Sequence, residues 1–141
     1  MSFQIVKGWP AEGAIDMSLT KETGEDMSLG QIVKVNASGK LEVCTAGAND
    51  TDPMGFTIGN ELATKSINPD YSPEVNTFTT LFSECVIDCD SNHFDSGSIG
   101  GMVTADGGKF IEKTTTDDKP AIGKVLYKDT DKMRVHFFGN K

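Results

Sequence analysis

Arginine is nearly missing from this chain: Arg134 is the only one, among 13 basic residues set against 21 acidic ones. Nucleic-acid binders draw most of their affinity from Lys and Arg on phosphates. A net charge of −8 without a basic cluster therefore argues against nucleic acid as a partner. It argues against an anionic membrane surface for the same reason. Long apolar runs are missing too, and none approaches the ~18 residues that span a bilayer. The N-terminus, MSFQIVKGWPAEGAID, has one Lys and no apolar core, so it does not read as a secretory signal. The expectation is synthesis in a cytoplasm. Cysteines are few and odd in number (Cys44, Cys85, Cys89), which reads as reduced thiols rather than a disulfide framework. Helical periodicity is the last absence. The best candidate, TIGNELATKSI, is interrupted by Gly59 and closed by Asn68-Pro69.

What remains is strand. GQIVKVNASGKLEV (Gly30–Val43) places two short apolar runs around an Asn-Ala-Ser-Gly turn, and GGMVTADGGKFIEK (Gly100–Lys113) does the same around Asp-Gly-Gly. Both are hairpin signals. The echo continues: an acidic loop and PMGFTIGN follow the first hairpin, TTTDDK and PAIGKVLY the second, at an offset drifting between 67 and 70 residues. The pattern predicts one all-β domain, a compact barrel or sandwich of about nine short strands, built from two similar units at 30–58 and 100–127. The strands are read at Phe3–Lys7, Gln31–Val35, Lys40–Cys44, Gly55–Ile58, Thr77–Cys89, Gly101–Ala105, Phe110–Lys113, Ala121–Tyr127 and Lys132–Phe138. Residues 1–14 precede the first unit as an arm or edge strand, and 15–141 form the domain.

Catalytic and metal chemistry has few candidates. Cys85, Cys89 and His93 sit four apart, which would align metal ligands on a helix, but the surrounding residues are β-formers and no second ligand pair exists. Asp88, Asp90 and Asn92 alternate as in a calcium loop, yet His93 stands where that loop needs Gly and Ile99 where it needs Glu. His136 lies in the strand pattern MRVHFFG with no nucleophile signature near it. Inert thiols, no cofactor, no metal and no enzyme are the expectations. The N-terminal SFQIVKGWP carries Phe3, Ile5, Val6 and Trp9 ahead of the first unit. It reads either as an edge strand on its own sheet or as an arm that adds a strand to a partner.

Taken together, KGWP, Gly-x-Ile-Val, a turn, Gly-Lys-Leu, an acidic loop and PMGFTI resemble the small head decoration (capsid cement) proteins of tailed bacteriophages. The resemblance covers mainly Gly30–Ile58 and, through the echo, Gly100–Tyr127. It implies a compact β fold, often trimeric, that binds the exterior of the assembled capsid and clamps neighbouring major capsid subunits. Phe3, Ile5, Val6 and Trp9 are then the suggested capsid contacts. Two other readings stay open: another virion component such as a tail tube or baseplate subunit, and a small β-barrel binding a ligand in its mouth.

Overall fold

The computed structural model describes residues 3–7, 16–60, 77–82 and 84–140. Among them the chain is all-β, with strands β1 (Phe3–Lys7), β2 (Asp16–Thr20), β3 (Ile32–Val35), β4 (Leu41–Val43), β5 (Met54–Asn60), β6 (Thr77–Leu81), β7 (Cys85–Asp90), β8 (Met102–Asp106), β9 (Lys109–Glu112), β10 (Gly123–Lys128) and β11 (Lys132–Phe137). Two antiparallel sheets result: sheet A, ordered β1-β7-β11-β10-β8-β9, and sheet B, ordered β2-β6-β5-β3-β4. They form a sandwich, not a closed barrel. Eleven strands stand where nine were read. β2 was missed, and the long run Thr77–Cys89 is two strands in different sheets. The break has a cause in the side chains. Phe78 and Leu81 of β6 lie on opposite faces of sheet B, both covered, whereas Cys85, Ile87 and Cys89 of β7 line the one face of sheet A turned to the core, so the chain changes sheet between them.

Without β1, the two sheets have the same connectivity: β2, β3, β4, β5 and β6 occupy the places of β7, β8, β9, β10 and β11. The registers agree residue by residue. Val33 faces Gly55 as Val103 faces Gly123, and Val35 faces Leu41 as Ala105 faces Phe110. Each third strand carries a bulge at the matching position, Thr57/Gly59 and Val125/Tyr127. The Gly30 N–H donates to the Thr57 carbonyl at 2.8 Å, and the Gly100 N–H to the Val125 carbonyl at 2.8 Å. Parallel bridges Lys21–Leu41 and Phe94–Phe110 then cover the outer edge of β4 and of β9 in the same manner.

Gly55 and Gly123 show why the third strand of each unit needs glycine. A methyl group on Gly55 would lie 2.6 Å from Thr80 Cγ2, and one on Gly123 2.7 Å from Val135 Cγ1, both closer than carbon atoms approach. The neighbouring strand lies directly over each.

The sheets stack front to back. Let the front be the face bearing Val33, Leu41 and Phe78 in sheet B and the equivalent Val103, Phe110 and Met133 in sheet A. The front of sheet A, with Val125, Val135 and Phe137, packs on the back of sheet B, which supplies Ile32, Met54, Phe56 and Leu81. Phe56 sits at the centre, stacked on Phe110 at 6.3 Å and tilted against Phe137 at 6.4 Å. Full burial of each such side chain contributes about 1.5–3 kcal/mol before ordering costs. The front of sheet B holds a second cluster of Val33, Leu41 and Phe78, roofed by Met27. Backbone bonds seam the units: the Ile32 N–H donates to Gly108 O and the Gly108 N–H to Cys44 O, both at 2.9 Å.

Candidate interaction surfaces

The N-terminal segment Phe3–Lys7 is a strand of its own chain. β1 pairs with β7 in antiparallel register, Phe3 with Cys89 and Ile5 with Ile87, and is the last strand of sheet A. Phe3 is half-buried, its ring edge-on to Phe56 at 5.2 Å and to His93 at 5.7 Å. Of the two readings of this segment, the edge strand is its arrangement within the chain. Gln4 is exposed, and among the described residues β1 has no further strand on its outer side. Trp9 lies outside the described residues, as does segment 61–76.

His93 follows the turn at residues 90–92 and turns inward. It is 2 % exposed, and its Nδ1 donates to the Gly30 carbonyl at 2.7 Å, tying the β7–β8 loop to the entry of β3. That bond fixes the Nδ1–H tautomer. Among the described residues Nε2 has no hydrogen-bond partner, with Asp90 Oδ1 3.8 Å away. Gly30 fits beneath the ring only without a side chain: its φ is +77°, and a methyl there would lie 2.7 Å from the Phe3 ring. Cys85 and Cys89 point into the core with Ile87, and burial pushes all three thiols, Cys44 included, up to about 12. Among the described residues no group of three or more His, Cys, Asp or Glu is placed to hold a metal ion.

The back of sheet A is open to solvent at Glu84, Lys124, Leu126 and Arg134, whereas Thr104 of β8 is buried. Arg134 grips Asp88 across β11 and β7 with Nε and Nη2, each at 2.8 Å. That contact holds the Asp88 carboxyl below its ordinary range. His136 Nε2 meets Glu84 Oε1 at 2.8 Å. Beside these pairs lie the exposed large apolar side chains of the described residues, Ile99 at 65 %, Met102 at 42 %, Leu126 at 46 % and Tyr127 at 50 %. They are neighbours, because the Gly100 and Val125 amides donate to Val125 and Gly101 carbonyls and hold the 99–102 segment against β10. Scattered single hydrophobes are ordinary on a surface, whereas a contiguous group marks contact. Sequence reasoning missed this group; the signal available was Ile-Gly-Gly-Met and Leu-Tyr at the solvent ends of alternating strands.

Comparison with known proteins finds no matching family model and no matching curated protein.

Proposed function

We propose that this chain is a non-catalytic structural protein of a virion, bound to the exterior of the assembled capsid and clamping neighbouring major capsid subunits through its N-terminal segment. The observation that carries the reading is the position of β1. It is an edge strand anchored at one end by Phe3, with a further apolar residue, Trp9, just beyond it, and an outer edge whose backbone groups can extend a partner's sheet. The resemblance of the hairpin-plus-strand units to head decoration proteins supports the same assignment. Many weak contacts on a repetitive shell add by multivalency, so no single deep site is needed. A homo-oligomer, with a trimer favoured, belongs to this reading, and catalytic groups, cofactors, nucleic acid and membrane do not.

A tail-tube or baseplate subunit is the second reading, favoured by the apolar group on the back of sheet A, which suits edge- or face-wise ring assembly. The ligand-binding barrel is not carried forward, since the sheets do not close and Phe56, Phe110 and Phe137 fill the space between them. The test is co-sedimentation with undecorated heads assembled from the major capsid protein of the same phage. The wild-type chain should pellet with the heads and appear on them in electron micrographs, and Trp9→Ala should weaken attachment by about tenfold or more. Absence from heads together with labelling of tails would replace this reading by the second.

A further inference from the structure

The β8–β9 turn holds the only Asp-Gly step in the chain, Asp106-Gly107. Asp106 and Lys109 close the hairpin, and Gly107 and Gly108 form its two-residue loop with φ of +58° and +78°. An aspartyl carboxyl can be attacked by the main-chain nitrogen of the next residue, closing a five-membered imide, and a side chain on that residue hinders the approach. Gly107 has none, and it is exposed, with nothing within 4 Å of where a methyl would lie. One hydroxyl from the other unit joins the two reacting groups. The Gly107 N–H donates to Thr45 Oγ1 at 3.1 Å, and the Thr45 hydroxyl donates to Asp106 Oδ1 at 3.2 Å. Thr45 takes a hydrogen bond from the attacking nitrogen and gives one to the oxygen that has to leave. The corresponding turn of the first unit is built differently. Asn36 is followed by Ala37, and its Oδ1 is held by the Ser38 and Lys40 amides at 2.9 and 3.0 Å.

We propose that Asp106-Gly107 is a self-modification site, converting to isoaspartate through a succinimide, with the Thr45 hydroxyl as the proton relay. The Gly107 nitrogen bonds to Asp106 Cγ while its proton passes through Thr45 Oγ1 to Oδ1. The carboxyl has taken one further proton from solvent, and Oδ1 leaves with both as water. A water molecule then reopens the ring. Attack at Cγ restores aspartate, and attack at the main-chain carbonyl carbon leaves the chain running through the side-chain carboxyl. Nothing is oxidised or reduced, the composition is unchanged, and water is the only co-reactant at a turn open to solvent. The consequence falls on the seam between the sheets. Gly108, the next residue, donates to Cys44 O and accepts from the Ile32 N–H, and the Ala105 carbonyl accepts from the Ala46 N–H at 3.0 Å. An isoaspartyl link adds one main-chain carbon between these contacts, so they cannot all keep their register. The site is independent of the β1 edge proposed for the capsid, and either can fail without the other.

The experiment follows the folded chain beside a synthetic peptide of residues 103–111, which lacks Thr45, both held in mildly acidic buffer. The succinimide is read as the loss of one water from the intact mass. Isoaspartate is read by methylation with an isoaspartyl methyltransferase and placed by peptide mapping. The folded chain should be modified at position 106, and faster than the peptide. Thr45→Val should slow the reaction about tenfold, short of the ~10²–10⁴-fold that a dedicated acid–base side chain supplies. Thr45→Ser, which keeps the hydroxyl, should react at the wild-type rate. Residue 45 is exposed, so both variants should keep the native circular dichroism. A folded chain slower than the peptide, a Thr45→Val rate equal to or above that of the wild type, a Thr45→Ser rate as low as that of Thr45→Val, or modification at another residue instead would each overturn the proposal.

Discussion

His93 shows how one buried ring can govern a structure. Its ring joins two units whose touching residues, Gly30 and His93, are 63 positions apart in the chain. No local pattern reveals that, which is why a polar turn (Asp90-Ser91-Asn92) disguised a core residue. His93→Ala leaves the Gly30 carbonyl buried without its donor and should cost about 2 kcal/mol in urea unfolding. The thiols were legible as free, but their effect on stability depends on burial that only the fold supplies. Their folded pKa near 12 lies above the ordinary 9, so folding favours the protonated form. The linked stability is complete below about pH 9 and is lost as pH rises from 9 toward 12. The loss runs up to about 1.4 kcal/mol per pH unit for each thiol. Unfolding midpoints measured from pH 8 to 11 should fall accordingly, and Cys85→Ala should flatten the decline.

Strands announced by a Gly turn between apolar runs, β3–β4 and β8–β9, were readable from sequence because hairpin register is a local property. β2 was not: DMSLT has two apolar residues in five and no turn signal, and it is a strand because β6 pairs with it. The division of Thr77–Cys89 was equally hidden, since both halves alternate and only the change of sheet separates them. The glycines of the third strands were visible as letters but not as contacts. Gly123→Ala forces a methyl against Val135 and the His136 carbonyl, so β10 and β11 must part. We expect a loss of about 1–3 kcal/mol, the usual cost of overpacking, seen as a lower denaturation midpoint with unchanged m-value. Gly107→Ala controls for side-chain size, because nothing lies within 4 Å of that position, though its φ of +58° carries its own smaller cost.

At the scale of the molecule, two copies of one five-stranded pattern lie in the same sense, one behind the other. The first copy turns its back to the shared core and the second its front, and the amino acids record which is which. Where the first copy has Phe56 and Leu81 in the core, the second has Lys124 and His136 facing water. Met102 and Leu126 stay apolar on that face. Its solubility therefore rests on very few side chains. Lys124→Phe with His136→Leu gives the second back the composition of the first without touching the core, and such a chain should lose solubility, seen as light scattering that rises with concentration while circular dichroism stays native.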